Sequence, residues 1–403
     1  MALRRRFQSL TLQHRRAFSS SDTNTPRSSG GKEQTRAALA ALRLEENPER
    51  ILDICRSAAL TPESHLDRIV FSKAISKLKE LNRHDAIRAF IHDSMSQPAN
   101  RSERYAAHCI ISYGQSGLIS DAVELFDKMP ELGIERNIKT LNSLLFSCLL
   151  GREYALMRRI FFEFPRKYGL DPNLETYNTV LKGICSSGGA RESHAILAEM
   201  ERKGVKPSKQ TFASVIEGLY SEESLDDVGK MLHLMKRYDM SPGIGIYNVR
   251  IQCLCKLGRL AEAKALLDGI LSNGMKPNCR TYGHLIYGFC RQGELDAAKD
   301  LYGEMAGKGL KAEVECFFTL VHYLCQGKDF EGALSICDDC ISNGWFPNVT
   351  TMSTLVRGLA SMNKFDEARR VTRLLKKRFR RNAEIWEQIE MELPKETEIS
   401  LTT

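Results

Sequence analysis

The sequence predicts an all-α protein, an α-solenoid of about nine helix–turn–helix repeats of 35 residues. Prolines, aromatic residues and glycines each recur at this interval and keep a constant phase. The prolines are Pro172, Pro207, Pro242, Pro277 and Pro347; the aromatic residues are Tyr177, Phe212, Tyr247, Tyr282 and Phe317; the glycines are Gly169, Gly204, Gly274, Gly309 and Gly344. Independent residue types in one phase indicate an internal repeat.

Each period contains two helical patterns. In residues 244–278, apolar residues at helical spacing run to about Leu257, and a second set starts near Leu260. Gly274 then supplies a C-terminal stop, and Pro277 prevents the second helix from continuing. One such pair of helices cannot bury its apolar faces. Stacked pairs share a continuous core, so the period predicts a two-layered superhelix.

The period divides the chain into five segments. These are a transit peptide (1–18), a flexible linker (19–34), a helical N-terminal cap (35–66), the repeat array (67–383) and an acidic C-terminal helix or tail (384–403). Within the array the repeats are 67–102, which is divergent, and then 103–137, 138–173, 174–208, 209–243, 244–278, 279–313, 314–348 and 349–383.

The N-terminal segment has the composition of an organelle transit peptide. Residues 1–18 contain five arginines and no acidic residue, and serines follow. Arg16 lies three residues before a scission after Phe18, as in the mitochondrial processing pattern. We therefore expect cleavage after Phe18 and location in the mitochondrial matrix. A plastid address and a basic N-terminus without a targeting role are the alternatives.

Composition excludes several classes of protein. No apolar run reaches the length of a membrane-spanning helix. The net charge of +8 includes the five arginines of residues 1–18, which leaves 53 basic and 50 acidic residues elsewhere. Net charge is therefore weak evidence for nucleic-acid binding. Cysteines such as Cys255, Cys290 and Cys325 share the repeat phase, which indicates core positions and not a disulfide framework.

Two segments carry a family resemblance. Residues 177–185 read Tyr-Asn-Thr-Val-Leu-Lys-Gly-Ile-Cys and are followed in phase by Met200, Gly204 and Pro207. Residues 247–263 match the same pattern more closely. The chain resembles the pentatricopeptide repeat proteins, in their plain class of uniform repeat length. The resemblance implies single-stranded RNA bound at about one base per repeat. Plant mitochondrial ribosomes contain such proteins.

In that family the fifth and last residues of a repeat contact the base edge. The resemblance therefore implies three pairs of base-contact candidates. These are Asn142 with Asn173, Asn178 with Ser208, and Asn248 with Asn278. Other repeats depart from the pattern: Ala213 and Gly243 have no side chain that hydrogen-bonds, and Glu313 repels phosphate. With few usable repeats, we expect docking on RNA more than decoding of one long sequence.

A basic cluster near the C-terminus predicts phosphate contacts. Eight cations fall in a stretch without an acid, which would make RNA binding depend on salt. The cluster consists of Arg369, Arg370, Arg373, Lys376, Lys377, Arg378, Arg380 and Arg381. The alternative is a solvated outer face of the last repeat helix.

No catalytic constellation accompanies the repeats. Cys337 and Cys340 form a lone C-x-x-C at core-type positions, without partners at a zinc-binding spacing. The sequence lacks a zinc-deaminase signature and a Walker-type phosphate loop. We therefore expect no cofactor, no metal, no small-molecule substrate and no enzymatic activity.

The function that these observations predict is RNA binding in mitochondrial gene expression. Its most concrete form is association with the mitochondrial ribosome, with RNA and mitochondrial ribosomal proteins as partners. A factor for stabilisation, processing or splicing of one transcript is the first alternative. A protein-interaction scaffold is the second, because many solenoids bind proteins.

Overall fold

The computed structural model describes residues 29–58, 64–378 and 383–393, and all regular elements in these ranges are helical. The predicted fold class, an all-α solenoid of helix–turn–helix repeats, is confirmed. The predicted transit peptide, 1–18, with its scission after Phe18, lies outside the described residues.

The first of two compact units comprises Met1–Ser187 and Glu192–Lys206. Its first helices pack side by side, α5 against α7 and α7 against α9, and second helices pack back on them. The helices are α1 (Ser29–Leu44), α2 (Pro48–Ser57), α3 (His65–Glu80), α4 (His84–Ser96), α5 (Glu103–Ser116), α6 (Ile119–Lys128), α7 (Ile138–Gly151), α8 (Tyr154–Tyr168), α9 (Leu174–Ser186) and α10 (Ser193–Arg202).

The second unit comprises Gly188–Arg191 and Pro207–Thr403. Its first helices, α11, α13, α15, α17 and α19, form the same kind of row. The helices are α11 (Lys209–Ser221), α12 (Leu225–Arg237), α13 (Ile244–Lys256), α14 (Leu260–Ser272), α15 (Cys279–Gln292), α16 (Leu295–Gly307), α17 (Val314–Gln326), α18 (Phe330–Ser342), α19 (Val349–Ser361), α20 (Phe365–Arg378) and α21 (Ala383–Glu392).

Helix α1 begins at Ser29, inside the segment 19–34 that was predicted to be a flexible linker. The reason lies in contacts that are remote in sequence. Leu42 is fully buried, and the Thr35 hydroxyl donates to the Asp67 carboxylate at 2.8 Å. Because α1 packs on α3, polar composition alone misplaced the end of the linker.

Close approach of neighbouring first helices depends on small residues. A Cβ atom on Gly114 of α5 would lie 2.5 Å from Ser147 Cα of α7, closer than real Cβ atoms come to backbone. The Ser147 hydroxyl uses this proximity to donate to the Ile110 carbonyl at 2.8 Å. Buried glycine and serine therefore set the spacing of the row in the first unit.

Helix α21 lies in the segment that was predicted as an acidic helix or tail. It packs against α20 and α19, and Trp386 and Ile389 on it are buried. Glu392 on the same helix accepts from Arg357 Nε at 2.9 Å, and Glu390 pairs with Lys376. The helix therefore covers apolar surface and neutralises cations at this end of the second unit.

Candidate nucleic-acid interface

The last residue of most repeats is the N-cap of the next first helix. Its side-chain oxygen accepts from the backbone N–H three residues on, at 2.8–3.2 Å. The caps are Asn137, Asn173, Ser208, Asn278 and Asn348. In four repeats a threonine hydroxyl accepts the N-cap N–H in return: Thr140, Thr176, Thr211 and Thr281. The base-contact candidates Asn173, Ser208 and Asn278 thus also cap the starts of helices, a role that sequence analysis missed.

The side chains of Asn248 and Asn278 are in direct contact. The Asn248 amide nitrogen donates to Asn278 Oδ1 at 3.2 Å, and the Thr281 hydroxyl donates to Asn248 Oδ1 at 2.8 Å. The amide is held from both sides, although 7% of Asn248 remains exposed. One amide hydrogen and one lone pair of the Asn248 side chain have no partner among the described residues.

Asn142 and Asn173 form the same arrangement, but a third side chain accepts the remaining amide hydrogen of Asn142. Asn142 Nδ2 donates to Asn173 Oδ1 at 3.2 Å and to Glu175 Oε2 at 3.3 Å, while Thr176 donates to its oxygen at 2.7 Å. Both amide hydrogens are therefore engaged, and only 1% of Asn142 is exposed. Burial raises the pKa of the Glu175 carboxyl, and the hydrogen bond from Asn142 opposes that shift.

The residue that corresponds to Glu175 in the Asn248 repeat pair is Arg280. Its Nε lies 4.0 Å from the carboxylate of Glu313, the N-cap residue of α17. Glu313 was expected to repel phosphate, and this nearby cation offsets its charge. The two asparagine pairs therefore have the same geometry. The carboxylate of Glu175 lies beside the first pair, whereas the cation Arg280 holds the equivalent position in the second.

Asn178 and Ser208 are placed in different units, and each is half-buried. Asn178 lies in the first half of α9, and Ser208 caps α11 through the Thr211 N–H at 3.2 Å. Their joint contact with a base stays a prediction.

One face of α15 combines cations with aromatic rings. Arg280, His284, Tyr287 and Arg291 are separated by four, three and four residues, which places them in one stripe along the helix. Tyr287 is 44% exposed, and both arginines are exposed. Burial lowers the pKa of His284 to about 4, with Lys256 and Arg280 adding to the shift, so the imidazole is neutral at pH 7. Sequence analysis missed this stripe, although its helical spacing was a usable signal.

Several cations of the basic cluster are engaged in contacts with acidic residues of the same chain. Arg369 is 8% exposed, with Nη1 3.4 Å from Asp366. Arg370 makes two hydrogen bonds to Asp338, at 2.9 and 2.8 Å, and Lys376 pairs with Glu390.

The other members of the cluster have more accessible side chains. Arg373, Lys377 and Arg378 are exposed, and the Arg378 guanidinium lies 5.5 Å from the Phe346 ring centre. Arg380 and Arg381 lie outside the described residues. The exposed cations of α20 in the described part of the chain are therefore Arg373, Lys377 and Arg378.

The cysteines of the C-x-x-C motif lie on the buried side of α18. Cys337 Sγ contacts Met352 Sδ at 3.8 Å, and Cys340 Sγ donates to the Trp345 carbonyl at 3.4 Å. Burial raises the pKa of Cys337 to about 12 and that of Cys340 to about 11. The described ranges contain no cluster of three metal-ligating side chains and no helix able to cross a membrane.

Models of the repeat match much of the chain. Those described as PPR repeat match residues 108–134, 245–275, 273–306 and 350–378. The model of the PPR repeat family matches 172–221, and that of the pentatricopeptide repeat domain matches 124–186.

Curated relatives come from Arabidopsis thaliana. A mitochondrial pentatricopeptide repeat-containing protein is 41% identical over 193 residues, 47% of this chain and 48% of that protein. The small ribosomal subunit protein mS79 is 28% identical over 160 residues, 40% of this chain and 41% of its own length. The protein mL103, also named as a small ribosomal subunit protein, is 27% identical over 198 residues, 49% of this chain and 48% of its own length. The chain thus spans about half the length of these relatives.

Among solved structures, the pentatricopeptide repeat protein PPR10 from maize superposes with a TM-score of 0.54 at 21% identity. The match covers 92% of this chain and 53% of that protein. It establishes a common fold. With the repeat models and the 41% identical relative, it leads to one assignment: the chain belongs to the pentatricopeptide repeat family.

Proposed function

We propose that this chain is a non-catalytic RNA-binding protein of mitochondrial gene expression that associates with the mitochondrial ribosome. The observation that carries the proposal is the asparagine pair of Asn248 and Asn278. Thr281 and the N-cap geometry hold both amides, which leaves a donor and an acceptor on Asn248. A pyrimidine presents complementary groups on its Watson–Crick edge.

The α15 stripe adds contacts with RNA to those that one amide pair can make. A single base contact discriminates by only about 1–3 kcal/mol, too little to select one long target. Tyr287 offers a stacking surface for any base, and Arg280 and Arg291 flank it with charge. Arg373, Lys377 and Arg378 add phosphate contacts on α20. Such a surface favours docking on abundant RNA over recognition of one sequence.

The relatives support the ribosomal form of the proposal. Three relatives are named as ribosomal subunit proteins, and four others as mitochondrial. Residues 1–18, with five arginines and no acid, support import into mitochondria and cleavage after Phe18.

The test is to express the tagged chain in plant mitochondria and to sediment extracts through sucrose gradients at high salt, with ultraviolet crosslinking of bound RNA. We expect co-migration with a ribosomal subunit and a crosslink to ribosomal RNA. A crosslink confined to one messenger RNA, away from ribosomal fractions, would instead identify a transcript-specific factor. Absence of any RNA adduct would leave the scaffold alternative.

A further inference from the structure

The outer face of α8 carries an exposed phenylalanine between two arginines. Arg159, Phe162 and Arg166 are separated by three and four residues and therefore share one face of the helix. Phe162 is 57% exposed. The residues that α8 buries lie on its opposite side: Met157, Ile160, Phe161 and Phe164. This face is therefore turned away from α7, which carries Asn142, and from α9, which Asn173 caps.

The two arginines of this face outnumber its one acid, Glu163, which lies four residues after Arg159 and three before Arg166. Among the described residues, neither Arg159 nor Arg166 forms an ion pair, and Glu163 is the one acid that α8 contains. Arg158, by contrast, is paired with Glu192 at 2.7 Å. The outer face thus has a surplus of positive charge around a single ring.

More positive charge lies at the C-terminal end of α8. The Tyr168 ring has Lys167 Nζ 4.7 Å and the Arg136 guanidinium 4.4 Å from its centre. An open cavity of about 430 Å³ adjoins it, lined in part by Gly133, Arg136 and Tyr168. Two cations therefore lie beside one aromatic ring at this end of α8, together with the carboxylates of Asp127 and Glu135.

We propose that the outer face of α8, formed by Arg159, Phe162 and Arg166, binds folded RNA. An unpaired base stacks on Phe162, and the two arginines, roughly 10 Å apart along the helix, contact the phosphates on either side. The inference goes beyond the proposed function, because it adds a contact surface that none of the candidate base-reading residues supplies. A folded RNA can contact this face and the first helices at once.

The size of the apolar patch favours RNA over a protein partner. A stable protein interface buries about 1,000 Å² or more around an apolar centre. Phe162 is a single ring, and the other exposed large apolar residues described in this unit, Leu44 and Leu81, lie at the ends of α1 and α3. One ring among unpaired arginines suits base stacking beside phosphates.

The experiment measures binding of the full-length chain to two RNA hairpins, one with a single bulged uridine and one fully paired. Phe162→Ala should weaken binding to the bulged hairpin by roughly five- to a hundredfold, the loss expected for one stacked base, while Phe162→Tyr retains it. Arg159→Gln with Arg166→Gln should reduce the salt slope by about 1.4 to 1.8. Lys203→Gln with Lys206→Gln removes the same charge from exposed positions of the same unit and should leave affinity for the bulged hairpin unchanged.

The outcomes separate this inference from the proposed function. Equal affinity of wild type and Phe162→Ala for the bulged hairpin would overturn it. An equal loss of affinity of Phe162→Ala for both hairpins would also overturn it. A third contrary result would be that this variant still binds RNA but no longer retains a protein partner in mitochondrial complexes. A wild-type chain that binds no RNA in organelles or in solution would refute both this inference and the proposed function, whereas a defect confined to Phe162→Ala concerns this inference alone.

Discussion

The side-chain amide of Asn142 on α7 donates to the carboxylate of Glu175 on α9 at 3.3 Å, which engages its second hydrogen. Glu175→Ala should release that hydrogen and raise affinity for RNA with a pyrimidine at this repeat, by up to about tenfold for one regained contact. Binding to oligonucleotides that differ at one position measures the effect. Glu315→Ala removes the same charge from the exposed second position of another repeat, where the fifth residue is Phe318. An equal, base-independent gain in both variants would show that Glu175 acts by charge alone.

The same carboxyl should make stability depend on pH. Burial raises the pKa of Glu175 above its usual 4.5, so the ionised form destabilises the folded state at neutral pH. That cost is fully present above the folded pKa and disappears as the pH falls toward the unfolded value. Glu175→Gln should therefore unfold at a higher temperature than wild type at pH 7, and the difference should vanish in acid. A constant difference across the pH range would contradict this account.

Helix capping and RNA binding should separate at two asparagines. Asn278→Ala and Asn348→Ala each remove an N-cap and should each cost about 1 kcal/mol of stability. Only Asn278 also accepts from Asn248, so only its loss should weaken RNA binding at matched folded fractions. Thermal unfolding and a binding titration on the same preparations measure the two effects. Equal binding by both variants would remove the Asn248 pair from the interface.

Cations of α20 should fall into two groups. Arg370 is bound to Asp338, so Arg370→Gln should lower stability by about 0–1 kcal/mol and leave RNA affinity nearly unchanged. Lys377→Gln with Arg378→Gln should instead weaken binding and reduce the salt slope. Titrations at several salt concentrations measure both. The opposite ranking would mean that the Asp338 pair opens on binding.

Gly114 should be intolerant of a methyl group. Gly114→Ala places a Cβ atom against the backbone of Ser147 and should destabilise the protein by about 1–3 kcal/mol. Gly229 on α12 has open space at the corresponding point, so Gly229→Ala should be neutral or stabilising by up to about 1 kcal/mol. Denaturant unfolding of both variants tests this, and similar stabilities would show that α5 and α7 can separate without loss.

The periodic part of the fold was predictable because its signals repeat. Proline after the second helix and glycine at its end mark positions that local backbone chemistry dictates, and these repeat at Gly204 and Pro207, then again at Gly274. The extent of α1 was not predictable in this way. Its N-terminal part looks like a linker, and its helical state depends on Leu42 and Thr35 packing against α3.

The candidate interface was predictable only in part. The register of the repeats brought Asn142 to Asn173 and Asn248 to Asn278. The hydrogen bond from Asn142 to Glu175 depends on the directions of side chains on neighbouring helices, which the spacing of residues in the sequence does not reveal. The ion pairs of α20 cations with acids on α18 and α21 could not be predicted for the same reason. The basic stretch itself contains no acid, and its partners lie on other helices.

A row of equivalent helix pairs has no intrinsic stopping point, because the apolar surface at its end is the one that another pair would cover. A second molecule offering its own first pair could occupy that surface, and head-to-tail addition of this kind produces open filaments. In the second unit, α21 fills the position with Trp386 and Ile389 and exposes glutamates such as Glu387. The helix thereby replaces an apolar end with a charged one, and we expect this to disfavour head-to-tail association in concentrated solutions.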